Sequence, residues 1–452
     1  MIPFIFVTIL EWFTGFGVLA TFRTRMPRSM SVPLALMIGM FIHSILFIGV
    51  DILHLGMKQS TMVGSAVVGL LLSHLWWKRV SPWYGELFAR PRFTLRMYDF
   101  VTLWAAGAAG YFVVWAAWYW PVTPFDAMAG IDLVARQTIA DGTVVNRVYS
   151  DPTLNGFLSN QPFYAPFAML MQVIYRTMGF GNGQVWLGIS AVMFSWFMWS
   201  SLRQVAHPFI AGVLWLLLIF TPELLGYTYL LQTDYINAAF LTSAIVLLYF
   251  SAQNEEFDAW AASAVLFAAA CWSRTETIAL VGLGLIVSIP FLFRQHPRRM
   301  VLKYVITAAA AGFFTFALWN VLYLQVLLPS RPDAASELIG FDPSRFSTVF
   351  VDTFTNVILD KGLWAATFVL FAAALILNLV IKRTGAPYII LMWIVAIFIG
   401  LEIVGTIFTA AVVEQTLRRG IFKLIPLIFL YVAASPIMVE GGKRLAAWEA
   451  RR

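Results

Sequence analysis

The residues of this chain that could do chemistry are acids and bases set at the ends of apolar runs. The stretch Trp118-Tyr119-Trp120-Pro121-Val122-Thr123-Pro124-Phe125-Asp126 closes a long apolar segment on two prolines and then presents a carboxylate, with Asp132 shortly after it. Proline frees backbone groups, and Trp and Tyr favour the membrane surface. An acid placed there suits work on a lipid-borne substrate. Glu223 ends a later apolar run, and Asp234 opens the next in Gln232-Thr233-Asp234-Tyr235-Ile236-Asn237. Arg274 and Glu276 stand between two more, in Cys271-Trp272-Ser273-Arg274-Thr275-Glu276-Thr277, and Arg418, Arg419 and Lys423 precede or open the last. Charges near lipid are costly and usually functional. Plainer readings stand beside each. Asp126 and Asp234 could be helix caps, Arg274 with Glu276 an ion pair closing a turn, and Arg418 and Arg419 cations reaching head groups. Glu402, inside a later run, reads as a packed acid with a hydrogen-bonded partner, and Glu11 and His43 as helix-packing groups.

The elements that must position these groups are membrane helices. The 452 residues are 60% hydrophobic and only 12% charged, with mean hydropathy +0.80, a balance foreign to a soluble domain. Apolar runs predict an all-α, polytopic fold with spans near residues 2–22, 33–53, 60–77, 99–120, 184–202, 207–225, 234–251, 258–273, 276–293, 303–325, 363–381, 386–410 and 420–438, about thirteen in all. Basic residues gather in alternate loops: Arg23, Arg25 and Arg28 after the first span, Lys78, Arg79, Arg90, Arg92 and Arg96 after the third, Arg294, Arg298 and Arg299 after the ninth. That side is expected to be cytoplasmic, and the net charge of +7 then reflects orientation rather than nucleic-acid binding. The two long loops, about 121–183 and 326–362, fall outside, as do Asp126, Asp132, Glu223, Asp234, Arg274, Glu276, Arg418, Arg419 and Lys423. Within the first, Phe125 to Ala140 predicts an amphipathic helix on the membrane surface. The segment after Gln161-Pro162-Phe163-Tyr164-Ala165-Pro166 predicts a helix that lies in the interface or dips in without crossing. Three parts are expected: a three-helix transmembrane appendage over 1–98, a transmembrane catalytic domain over 99–438 and a basic cytoplasmic tail over 439–452. No cleavable signal is evident. The single cysteine, Cys271, forbids an intrachain disulfide. The five histidines lack ligand spacing, and there is no phosphate loop, Ser-His-Asp arrangement or nucleotide fingerprint. No metal and no cofactor is expected.

Four stretches resemble the GT-C glycosyltransferases, integral-membrane enzymes that use polyprenyl-phosphate-linked sugars. Pro124-Phe125-Asp126-Ala127 resembles their acid at the start of the first outer loop, and Asn160-Gln161-Pro162-Phe163-Tyr164 the proline-rich approach to that loop's later helix. Thr233-Asp234-Tyr235-Ile236 with Ser273-Arg274-Thr275-Glu276 resembles an aspartate at a helix start followed by a basic-x-acid pair. Arg418-Arg419-Gly420-Ile421-Phe422-Lys423-Leu424-Ile425-Pro426-Leu427 resembles the closing basic, aromatic, leucine-proline helix. Thr275 and Thr277 stand where the family often has proline or glycine, Pro162 and Pro166 are separated, and three extra spans come first. The resemblance implies transfer of one sugar from a polyprenyl phosphate to a hydroxyl on a lipid, glycan or protein acceptor, by single displacement with inversion. It implies a bacterial inner-membrane enzyme with a periplasmic active face. Asp126 would be the base, with Asp132 in reserve. Arg274, Arg418, Arg419 and Lys423 would hold the donor phosphate. Asp234, Glu276, Glu223 and Gln161 would bind sugar or support the arginines. A transporter or flippase would instead show an internal repeat and charges near the midplane. A polysaccharide polymerase or ligase would take a diphosphate-linked oligosaccharide.

Overall fold

The computed structural model describes residues 2–88, 96–155, 158–159, 164–179, 181, 183–328, 340, 343–381, 387–407 and 413–451. Gln161 and the adjoining Asn160, Pro162 and Phe163 lie outside them. The described residues are helical throughout, with one isolated backbone bridge and no strand.

Eight helices are long and apolar enough to cross a membrane, or up to ten if two bent pairs each count as one span. This supports a multi-pass membrane protein and falls short of the thirteen expected. The eight are α1 (Ile2–Thr21), α2 (Arg28–Ile52), α5 (Met97–Tyr119), α8 (Val185–Val205), α11 (Thr233–Gln253), α13 (Thr277–Gln295), α14 (Arg298–Ala317, continued as a π-turn to Leu327) and α18 (Tyr388–Ile407). The bent pairs are α3 (Gln59–Ser73) with α4 (Trp77–Phe88), turning by 93°, and α20 (Ile425–Ala433) with α21 (Pro436–Glu449), turning by 53°. Three expected spans are helices of only 12 to 15 residues: α9 (Pro208–Ile219), α12 (Trp260–Ser273) and α17 (Thr367–Ile381). At 1.5 Å per residue they are too short for a hydrocarbon slab of about 30 Å. Helix α12 does not need that length, because its side chains from Leu266 to Ser273 are all buried against protein.

Helix α11 is the axis of the bundle. All of its membrane window is buried, so lipid touches the helices around it. Large apolar side chains face outward on α5 (Trp104 and Tyr111), α14 (Ile306 and Phe313) and α17 (Leu379 and Val380). The leading helices, expected as an appendage, share one continuous apolar core with the rest. Polar contacts tie them in as well: Tyr323 donates to Asp51 Oδ2 at 2.7 Å, and Trp272 Nε1 to Ser44 Oγ at 3.0 Å. The segment expected as a basic tail is the helix α21, whose Glu449 pairs with Arg96 and lies 3.2 Å from His207 Nε2.

Glu11 and His43 pack helices, as expected, through a longer polar file. His43 Nδ1 lies 2.7 Å from Glu11 Oε1 and Nε2 lies 2.9 Å from Ser65 Oγ, while Tyr175 donates to Glu11 Oε2 at 2.9 Å. The order Ser-His-Glu is that of a catalytic triad, which the sequence did not reveal because each member comes from a different helix. All three are buried, which closes them to a substrate and makes the file a clamp joining α1, α2 and α3. His43→Ala leaves buried partners unsatisfied and is expected to cost about 1–3 kcal/mol, read as a lowered midpoint of thermal unfolding in detergent.

In the first long loop a π-turn (Ala127–Ile131) runs into α6 (Asp132–Asp141), which packs on α7 (Phe167–Thr177). The amphipathic helix is present, with Phe125 and Met128 exposed and Ile131, Val134 and Ala135 buried. Helix α7 has 11 residues and no crossing length. Phe167 to Tyr175 are buried, so it sits within protein rather than on the lipid surface.

Candidate functional site

The acids and bases at one end of these helices meet in a balanced cluster of ion pairs. They arrive from elements far apart in the chain. Asp126 precedes the π-turn. Glu223 lies on α10 (Pro222–Gly226), and Asp234 in the first turn of α11. Arg274 and Glu276 form the turn between α12 and α13. Arg418 and Arg419 open α19 (Arg418–Ile421), with Lys423 one helical turn beyond Arg419, ahead of α20.

The capping readings do not describe these acids. Asp126 stands at the cap of the π-turn but makes no capping hydrogen bond; its Oδ2 instead accepts from Arg419 Nη1 at 3.0 Å. The cap of α11 is Gln232, so Asp234 is inside the helix, wholly buried, and paired with Arg274. Arg274 also pairs with Glu276, so the local ion pair exists but is one arm of a longer chain. That chain continues from Glu276 Oε1 to Lys423 Nζ at 3.9 Å. Arg418 Nε lies 3.0 Å from Glu223 Oε1. Neither Arg418 nor Arg419 merely reaches outward.

Three contacts explain how the groups are held. Asn237, one turn along α11 from Asp234, donates to Ala270 O at 2.8 Å, Ser273 Oγ at 3.0 Å and Thr277 Oγ1 at 2.9 Å. One amide therefore fixes the Arg274 turn against the helix that carries Asp234. Arg419 Nη1 also donates to Gln232 Oε1 at 3.3 Å, which links α19 to the same helix end. Tyr164 joins the two halves. The Arg274 guanidinium lies 5.5 Å above its ring, and Arg274, Glu276, Arg419 and Asp126 all act on its phenol electrostatically. Burial raises the Tyr164 phenol, which keeps it a neutral hydrogen-bond donor.

Exposure grades across the cluster. The side chains of Arg418 and Asp126 are 33% and 30% exposed at the rim, Arg274 is 12% exposed, and Lys423 and Asp234 are 1% and 0% exposed at the floor. Burial pushes the Lys423 ammonium down to about 7; Arg274 pushes the same way and Glu276 opposes. Burial alone would raise the Glu276 carboxyl, but Arg274 and Lys423 beside it hold it below the ordinary carboxylate range. Burial raises the Glu223 carboxyl, with Arg418 pulling it down and Asp360 adding to the rise. Several floor atoms are buried without a hydrogen-bond partner among the described residues: Asp234 Oδ2, Thr233 Oγ1, Thr275 Oγ1 and Asn237 Oδ1. Buried polar atoms are ordinarily satisfied, so this group marks where a polar ligand would find partners.

The remaining expected residues lie as follows. Asp132 is apart from the cluster. Its Oδ1 accepts from Arg176 Nε and Gln172 Nε2, each at 2.8 Å, and its Oδ2 accepts from Arg176 Nη2 at 2.9 Å. With both oxygens engaged, it locks α6 onto α7. Gln161 lies outside the described residues. Glu402 is buried in α18, a packed acid as expected, with Thr353 as the neighbour its side chain interacts with. Tyr164 and Gln232 are the members that sequence reasoning missed. The only signals were an aromatic residue bracketed by prolines and a glutamine just ahead of a helix start.

Comparison of the chain with protein-family models, curated proteins and solved structures finds no match.

Proposed function

We propose that this protein is a GT-C-like glycosyltransferase that moves one sugar from a polyprenyl phosphate to an acceptor hydroxyl at the outer face of a membrane, on the periplasmic side of a bacterial inner membrane. The observation that carries this reading is the Asp126–Arg419 pair at the rim of a floor containing Arg274 and Lys423. It sets a carboxylate beside the cations that would receive a phosphate. The named acids and bases match in number, so an incoming phosphate can gain a guanidinium only by displacing an acid. Arg419, 21% exposed with Asp126 beside it, is where that exchange frees a carboxylate at the rim. Once the phosphate takes Arg419, Asp126 Oδ2 is released to accept the acceptor's proton. The acceptor oxygen forms its bond to the anomeric carbon from the side opposite the phosphate, and the carbon–oxygen bond to phosphate breaks. The electron pair leaves on the phosphate, where the guanidiniums meet the growing charge. The sugar inverts, and free polyprenyl phosphate is the second product.

A place for an apolar tail lies close by. A cavity of about 220 Å³ between α5, α8 and α9 is lined by Gly107, Gly110, Ala191 and Trp215, and it reaches Leu225 and Tyr235, near Glu223 and Asp234. The polar groups gather at one end of the bundle rather than at its middle, which favours surface chemistry over transport.

The test is purified protein given a polyprenyl-phosphate sugar and candidate acceptors, with mass spectrometry of lipid that copurifies to choose the donor. Release of free polyprenyl phosphate that depends on acceptor supports the reading; movement of intact donor across vesicles without bond cleavage sinks it. The floor adds a pH prediction. Lys423 is largely neutral above about pH 7 in the free protein, and a bound phosphate favours its charged form. Binding should therefore take up a proton at pH 8 and weaken as pH rises. Below about 7 this lysine is already charged, and its contribution to the pH dependence vanishes. Calorimetric titration with a short polyprenyl phosphate, in buffers of different ionisation enthalpy, should show this uptake in the wild type and less of it in Lys423→Met.

A further inference from the structure

At the opposite end of the bundle, α1 ends in a turn that its sequence does not favour. Thr24 N donates to Leu19 O at 3.1 Å and Arg23 N to Ala20 O at 2.9 Å, the pattern of a helix stop whose left-handed position is usually glycine. Here that position is Arg23, at φ +52°. The next residues are pinned to the loop after α11: Arg25 N donates to Asp258 O at 2.8 Å, and Asp258 N to Arg25 O at 3.0 Å. Between these loops and α4 lies a cavity of about 590 Å³, lined by Arg23, Arg25, Arg28 and Arg79, with Glu256 as the one lining acid among the described residues. Arg28 opens α2, so the positive end of that helix faces the same space. Loop arginines that only fix orientation need no cavity. This one has in addition a hydroxyl with nothing to bind: Thr24 lines it, is 2% exposed, and its Oγ1 has no hydrogen-bond partner among the described residues.

We propose that this cavity binds a phosphate monoester, held by Arg23, Arg25, Arg28 and Arg79 with a hydrogen bond from Thr24 Oγ1. Among the described lining residues, the guanidiniums of Arg23, Arg25 and Arg79 outnumber the Glu256 carboxylate, which favours an anionic group. Planar guanidiniums grip phosphate through paired donors. The ester's remainder would extend along Trp83, which lines the same space. Two sources share this chemistry, a phosphatidic-acid head group from the adjacent leaflet or a soluble phosphate ester. The site is independent of the sugar-transfer reading, since it lies at the other end of the helices.

The experiment uses the full chain in phosphatidylcholine nanodiscs. It measures binding of glycerol 3-phosphate added in solution and, in a second arm, protection against thermal unfolding when phosphatidic acid replaces part of the phosphatidylcholine. Saturable binding in either arm supports the site, and the arm that responds identifies the source. Arg25→Gln with Arg79→Gln should weaken it tenfold or more. Thr24→Val should weaken it several-fold while leaving the ligand-free unfolding midpoint unchanged or higher, because the hydroxyl has no partner to lose. The proposal is overturned if neither probe binds, or if both variants bind as the wild type does.

Discussion

Asp126→Asn is expected to lower turnover by about 10²–10⁴-fold, the usual contribution of a positioned general base, while the protein folds as before and binds donor no more weakly, since the charge that competes with the phosphate for Arg419 is gone. The amide has the same shape, and its oxygen can still accept from Arg419 Nη1 where the carboxylate does now at 3.0 Å. It cannot take a proton from a hydroxyl. Stability should hardly move, because the site is partly exposed and an ion pair there contributes little. Asp132→Asn is the contrast. That acid is buried, with Arg176 and Gln172 on its two oxygens, so its loss should lower the unfolding midpoint and affect turnover only through the fold. Turnover by Asp126→Asn equal to the wild type's would remove Asp126 from the chemistry. Equal losses of turnover and midpoint in the two variants would make Asp126 a second structural acid.

The difference between these aspartates shows what the chain makes legible. Both stand in one short amphipathic segment, and periodicity cannot say which faces the cluster. The π-turn decides it, by changing the angular spacing between them, and a turn of that kind leaves no mark in residue types. The gathering of Asp234, Arg274 and Glu276 was readable, because charges at the ends of apolar runs must sit at the membrane surface, and span order puts them on one side. Their pairing was not. Arg419 meets Asp126 across 293 positions of the chain, and the third dimension alone assigns it there rather than to Glu223. The count of about thirteen spans is not confirmed, for a related reason. Hydropathy cannot separate a helix that faces lipid from one buried by neighbours, and α12 is apolar because it lies inside protein. Tyr164, Gln232 and the Ser65-His43-Glu11 file escaped because no local pattern joins their members.

The second large effect is at Arg274, where stability and function can be separated. Arg274→Met is expected to destabilise the protein by about 3–5 kcal/mol, the range for breaking a buried pair by removing one partner. Asp234 is wholly buried and Arg274 nearly so, so the orphaned carboxylate has no water to turn to. Asp234 Oδ2 already lacks a hydrogen-bond partner, and the substitution would strip Oδ1 as well. Donor binding should fall too, but a misfolded floor would give the same loss. The double variant Arg274→Met with Asp234→Asn resolves this, because it removes both charges together and replacing a buried pair by neutral groups is often close to neutral for stability. Its unfolding midpoint should recover most of the loss, while affinity for polyprenyl phosphate stays low, since the guanidinium that would meet the phosphate is still missing. Recovery of both would mean that Arg274 serves only to neutralise Asp234. Donor recognition would then have to rest on Arg419, Arg418 and Lys423, and the chemical centre of the cluster would move from its floor to its rim.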